Sequence, residues 1–262
     1  MATTPARSLD LGRVLSTGFS ALFNNAVPFL AVSAVLAGIP GFIFSYWMLG
    51  VATADTPPSV EYIMSRQFWG PILGGAVAWV VSSALLQGTL ISATVRHLSG
   101  RPAHIEQSVA GALARVVSII LLSLLVAVVV GFGFLLLIVP GVIFYLMYVV
   151  AVPVMMAEGR GITESMSRSA ELTKGSRPMI FLLVIVMGMV TSGGSAVSNA
   201  IFARLIEVGG DAGMDRITMA IGTLVEQTAA TAVGAVLIAA LYVELRAIKE
   251  GATPEGISDV FA

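Results

Sequence analysis

The chain has no cysteine and only two histidines, His97 and His104. Disulfides, thiolate nucleophiles and cysteine-based metal sites are therefore excluded, and a histidine-rich metal site is not expected. Charge is scarce as well. Asp, Glu, Lys and Arg make up 11% of 262 residues, against roughly 25% in an average globular domain. That is too little charge to wet the surface of a soluble fold. A net charge of −1 argues against a nucleic-acid partner. There is no phosphate-binding glycine loop, nucleophile elbow, zinc spacing or histidine-based triad. Neither an enzymatic activity nor a cofactor is expected.

What the chain does have is long apolar runs. Between Arg115 and Glu158 lie 42 residues without one charged side chain. As α-helix they measure ~63 Å, twice the ~30 Å of a bilayer's hydrocarbon core. Two spans and a tight turn use up that length. Six spans emerge in all, at about 26–51, 69–95, 116–136, 139–157, 179–202 and 217–243. The expected fold class is all-α, a polytopic integral membrane protein with six transmembrane helices and short cytoplasmic interfacial amphipathic helices. Apolar runs this long exclude a β-barrel. Residues 1–250 read as a single six-span membrane domain, and 251–262 as a mobile C-terminal tail. The first apolar run, from Ala26, exceeds the h-region of a cleavable signal and reads as a retained span.

Basic residues orient these spans. Eleven fall on one side: Arg7, Arg13, Arg96, Arg101, Arg115, Arg160, Arg168, Lys174, Arg177, Arg246 and Lys249. Only Arg66, Arg204 and Arg216 fall on the other. The positive-inside rule then places both termini in the cytoplasm. Arginine outnumbers lysine twelve to two in an Ala-, Val- and Gly-rich chain, which points to a bacterial source and its inner membrane. Trp47 and Trp69 fall near the outer ends of spans one and two, as in an aromatic belt.

Three segments before spans look amphipathic: 9–23, 105–113 and 162–174. In the third, Ile162, Met166, Ala170 and Thr173 share one face, and Glu164, Arg168, Glu171 and Lys174 share the other. Glu164 and Arg168 stand at a favourable i, i+4 spacing, and Gly175 supplies the stop. Such helices are expected to lie in the interface with the apolar face down. The charges of this loop nearly cancel and read as a solvated face. Placing Leu22 on Leu172 also places Pro28 on Pro178 without a gap, which suggests a repeat of interfacial helix plus two spans.

Ionisable and amide side chains inside spans are the candidate functional residues, because burying them in hydrocarbon is costly. They are Glu226 and Gln227 in span six, Gln87 in span two and Asn199 in span five. One reading is a polar site lined by span six, where Gly222, Thr223, Thr231 and Gly234 continue a small and polar stripe. The other is hydrogen bonding between closely packed helices, or a position of Glu226 near the outer interface. Pro40-Gly41 is expected to kink span one, and Pro140-Gly141 to lie at the outer turn between spans three and four.

The stretch LLLIVPGVIFYLMYVVAVPVMMAEGRGITESMSRSAELTKGSRPMIFLLVIV, residues 135–186, carries a resemblance. Its marks are Pro140, Gly141, Pro153, Glu158, Gly159, Ser169, Leu172, Lys174 and Gly175. With the opening LDLGRVLSTGFSALFNN, it resembles the bacterial membrane proteins of the glycerophosphoryl diester phosphodiesterase membrane-domain family. The resemblance implies a stand-alone membrane domain. The chain has no room for that family's fused catalytic barrel, so phosphodiesterase activity is not carried over. The expected function is non-enzymatic: binding or organising membrane lipids, or scaffolding a membrane protein partner or a second copy of the chain. The alternative is a small transporter with its polar site near Glu226.

Overall fold

In a computed structural model the described residues are 9–52, 59–100, 104–209 and 212–250. Arg7, Arg101, Pro57, Pro58 and residues 251–262 lie outside them. Among the described residues every regular element is a helix, and six are long and apolar enough to cross a membrane: Ala26–Val51, Val60–Leu98, Ile105–Leu136, Ile138–Glu158, Arg177–Ile206 and Met214–Glu250. The protein is an all-α, multi-pass membrane protein. The single domain expected over 1–250 is laid out as two compact units, each built from separate stretches of chain. Unit one comprises Met1–Ala26, Gln87–Gly188 and Val233–Ala262, and unit two Val27–Leu86 and Met189–Ala232.

Unit one opens with α1, Leu11–Asn24, which starts where the Asp10 carboxylate accepts the amides of Gly12 and Arg13 at 2.9 and 3.3 Å. That is an N-cap, and it satisfies two amides that the first turn cannot. Val14, Gly18, Ala21 and Leu22 are buried. A Cβ on Gly18 would come within 2.6 Å of the Leu237 side chain, so only glycine permits this approach. Arg13 Nη1 donates to Glu244 Oε1 at 2.7 Å beside it. The buried face of α1 is therefore packed on protein, where the sequence suggested lipid. Phe23, 73% exposed, is the large apolar residue of α1 left to the surroundings.

In unit two, the first span is made of α2, Ala26–Ser33, a π-helical turn at Ala34–Gly38, and α3, Ile39–Ala52. The kink expected at Pro40 takes the form of that turn. Proline has no amide for the carbonyl four residues back, and Ile39 donates instead to Ala34, five back. A short helix α4, Val60–Ile63, leads into α5, Arg66–Leu98. Trp47 and Trp69 both meet Phe68 here, at ring-centroid distances of 6.3 and 5.5 Å.

The charge-free hairpin lies in unit one. It is α6, Ile105–Leu136, then Leu137 alone in an extended conformation, then α7, Ile138–Tyr148. The second amphipathic segment, 105–113, is thus not a separate helix but the first turns of α6. Gly133 faces Gly141 so closely that a Cβ on the former would sit 2.9 Å from the latter's Cα. Leu135 at the tip is 81% exposed and Ile138 73%. A soluble protein rarely leaves such a patch uncovered, which agrees with a pair of membrane-spanning helices.

Span four does not run unbroken. Helix α7 stops at Tyr148, and α8, Ala151–Glu158, resumes with Pro153 in its first turn. Proline fits there because first-turn amides have no helical acceptor. The interruption leaves the Met147 carbonyl in need of a donor. Ser169 Oγ donates to it at 2.7 Å, from α9, Ile162–Thr173. The remaining long helices are α10, Arg177–Gly209, and α11, Ala212–Glu250. Pro28 and Pro178 each fall in the first turn of the helix after an amphipathic one, as the suggested repeat requires.

Ser169→Ala is expected to lower unfolding stability by about 1–2 kcal/mol, the cost of orphaning a buried acceptor. Ser167→Ala, on the exposed side of the same helix, is expected to change it by less than about 0.5 kcal/mol. Thermal unfolding of the purified protein in detergent reads both.

Candidate functional site

Two places in the fold bring polar side chains together, one in each unit. In unit one the centre is Glu158, the last residue of α8, whose side chain is 8% exposed. Its Oε2 accepts from Arg160 Nε at 2.6 Å and lies 3.4 Å from Arg168 Nε. Its Oε1 accepts from the Tyr242 hydroxyl at 3.1 Å. Glu250 makes a second centre, accepting from Arg246 Nε at 2.7 Å and from Arg168 Nη2. Arg168 thus joins both carboxylates.

This network corrects two sequence expectations. The charges of the fourth loop form a solvated face only in part: Arg160, Glu164, Glu171 and Lys174 are exposed, but Glu158 and Arg168 are 8% and 17% exposed. Nor do Glu164 and Arg168 pair along α9. Glu164 turns back to accept the Gly161 amide at 3.2 Å and caps the helix instead. The reason is the roll of α9. Its buried face is Ser165, Met166, Ser169, Leu172 and Thr173, because small hydroxyl residues let helices approach closely and supply donors. That roll carries Arg168 inward.

The nine positions behind the family resemblance each have a place in this geometry. Pro140 and Gly141 begin the return leg of the hairpin, and Pro153 opens α8. Gly159 has φ +69°, the left-handed conformation that closes α8, and Gly175 has φ +88° after α9. Both suit glycine, which carries no Cβ penalty there. Leu172 is fully buried and Ser169 holds the Met147 carbonyl. The carbonyl of Lys174 accepts from Lys249 Nζ at 2.8 Å. Arg115 Nη1 donates to the Met155 carbonyl in the last turn of α8, at 3.1 Å. Cations at helix C-termini satisfy free carbonyls and oppose the dipole. Arg115, Glu158, Arg160, Arg246 and Glu250 line a cleft of about 530 Å3.

Unit two holds a larger cleft, of about 800 Å3. Its walls are apolar or small, with Pro40, Phe44, Trp47, Pro71, Gly74 and Trp79 among them, and Ser45, Thr223 and Gln227 as its side-chain polar groups. Thr223 Oγ1 donates to Ser45 Oγ at 3.2 Å, tying α11 to α3. Close packing of the same helices depends on Gly38 and Gly41, where a Cβ would run into Thr228 and Gln227.

Of the four intramembrane candidates, Gln227 alone lines this cleft. Glu226 is partly buried and accepts from Ser195 Oγ at 2.6 Å, a bond between α10 and α11. Asn199 is exposed, and Gln87 belongs to unit one. Sequence reading missed Tyr242 and Glu250 as members of the unit-one network. Glu250 stands four residues after Arg246, a spacing that does signal a helical ion pair. Nothing in the sequence ties Tyr242 to Glu158. Among the described residues no group of three or more His, Asp or Glu could hold a metal ion. No protein family, curated protein or solved structure matches the chain.

Glu158→Ala is expected to destabilise the protein by about 3 kcal/mol, because it leaves the poorly exposed Arg168 short of a partner. Arg160→Gln removes a cation that is 42% exposed and is expected to cost less than about 1 kcal/mol. Unfolding midpoints of the two variants, measured side by side, check the contrast.

Proposed function

We propose that this chain is a non-enzymatic protein of the bacterial inner membrane, with both termini cytoplasmic, that binds and organises lipid. The observation that carries the reading is the unit-two cleft. It is built from membrane-spanning helices, walled mostly by carbon and edged by three uncharged polar side chains. Its volume falls within the ~300–1,000 Å3 of small-molecule sites. Such a surface suits a lipid chain with a hydrogen-bonding group near one end. It offers a charged solute no counter-charge. The resemblance to the phosphodiesterase membrane-domain family accords with the same reading, since it implies a membrane-embedded domain. A transport path built on all four polar candidates draws less support, because Glu226 is engaged by Ser195 and Asn199 is exposed.

Gly74 gives a direct test. A Cβ there meets nothing within 4 Å, so a side chain can enter the cleft without forcing the backbone. Gly74→Phe is expected to fold and to lose about one co-purifying phospholipid per chain, counted by mass spectrometry after gentle extraction. Unchanged lipid content would overturn the reading.

Orientation is open to labelling against a cysteine-free background. Thr163→Cys and Ser59→Cys both place the thiol at exposed positions. A membrane-impermeant maleimide is expected to label the Ser59 variant in cells with a permeable outer membrane, and the Thr163 variant only after lysis.

A further inference from the structure

The unit-one cleft has a guanidinium with a hydrogen left over. Arg246 lines it, its side chain 8% exposed. Nε is taken by Glu250, while Nη1 is buried and has no hydrogen-bond partner. A buried donor without an acceptor is unfavourable, and more so when charged. The cleft's own acceptors are already engaged. Glu158 receives Arg160 and Tyr242, and Glu250 receives Arg168 and Arg246. Arg115, on the opposite wall, uses Nη1 on the Met155 carbonyl. Arg160 is the most exposed of the lining cations, at 42%. Arg115, Arg160 and Arg246 thus line one small volume beside two carboxylates that already hold ion pairs, and an anion from outside would supply it with a further acceptor.

The chemistry of that anion follows from the donors. Guanidinium forks match the oxygens of phosphate and bind it with charge-assisted bonds. Position adds the source. Arg115 and Glu158 bound the 42-residue charge-free hairpin, and Arg246 follows the apolar run 217–243. The cleft therefore sits where apolar chain gives way to polar chain, the level at which basic pockets meet anionic headgroups.

We propose that Arg115, Arg160 and Arg246 form a binding site for a phosphate group, as presented by the headgroup of an anionic phospholipid. The site uses none of the residues of the unit-two cleft, so Gly74→Phe leaves it intact and the two readings fail separately.

The test uses the full-length protein in detergent with three probes: phosphatidylglycerol, phosphatidylcholine and inorganic phosphate. Native mass spectrometry is expected to show one phosphatidylglycerol retained per chain and phosphatidylcholine retained at least about tenfold less. Arg160→Gln and Arg246→Gln are each expected to reduce phosphatidylglycerol retention about tenfold. Arg13→Gln, which removes a cation paired elsewhere with Glu244, is expected to leave retention unchanged. If millimolar inorganic phosphate displaces the lipid from wild type, the site takes free phosphate as well. If it does not, the headgroup in its membrane setting is the ligand. Equal retention of both lipids by wild type, with no shift of its unfolding midpoint by phosphate, would overturn the proposal. So would an Arg160→Gln variant that keeps phosphatidylglycerol as wild type does. Arg160 contributes little to folding, so that variant decides the matter even where Arg246→Gln fails to fold.

Discussion

Pro153 interrupts span four, and the polar half of unit one is arranged around that interruption. Span four cannot continue as one helix, so α7 ends at Tyr148 and α8 begins at Ala151. In a membrane no water satisfies the carbonyl left behind, and an unmatched backbone group costs several kcal/mol. Ser169 and Thr173 supply hydroxyls to the Met147 carbonyl at 2.7 and 3.5 Å. Both come from α9, so the roll of α9 is set by the break it closes. Once that roll is fixed, Arg168 has one direction to take, and it reaches Glu158 and Glu250. One break in a span thus propagates through three helices to the arrangement of the charges.

Those charges are costly to bury, and a network of this kind is weak support for stability. What it supplies here is placement. Glu158 and Glu250 belong to different helices, and Arg168 spans them. The basic residues have a second task at helix ends, with Arg115 on the Met155 carbonyl and Lys249 on the Lys174 carbonyl. The same residues enter the positive-inside count. A cation at the end of a span can therefore serve insertion, where it resists crossing, and folding, where it adds a hydrogen bond to a carbonyl of a helix end and opposes the dipole.

The spans and the hairpin were legible because they depend on local composition. Forty-two uncharged residues between Arg115 and Glu158 admit few foldings in a ~30 Å layer, and the turn falls on Leu137, between the expected spans. The face of α9 was legible only in part by the same means. Ranking residues by hydropathy put Met166 and Thr173 on the buried face, added the half-buried Ile162 and Ala170, and left Ser165 and Ser169 out. Between membrane helices the ranking shifts, since close approach and a spare hydroxyl favour serine over a bulky side chain. Likewise Pro40 announced a disturbance in span one but not its form, because a kink and a π-helical turn answer the same missing amide. The Tyr242 bond to Glu158 joins residues 84 apart in sequence, and no periodicity reports such a pair.

Glu226 and Gln227 show the same limit at the smallest scale. Adjacent in sequence, they read as one polar site. On a helix of 3.6 residues per turn, neighbours point about 100° apart and do not face a common partner. Helix α11 divides the pair accordingly. Glu226 takes the Ser195 hydroxyl of α10, a short charge-assisted bond of 2.6 Å. Gln227 turns to the cleft beside Gly41, where a Cβ on the glycine would lie 3.3 Å from its Cγ. The carboxylate thus serves the packing of spans five and six, and the amide is what the cleft presents to whatever fills it. That division leaves the cleft without a charge of its own. An uncharged, carbon-walled volume with one amide and two hydroxyls is the feature on which the proposed lipid reading rests.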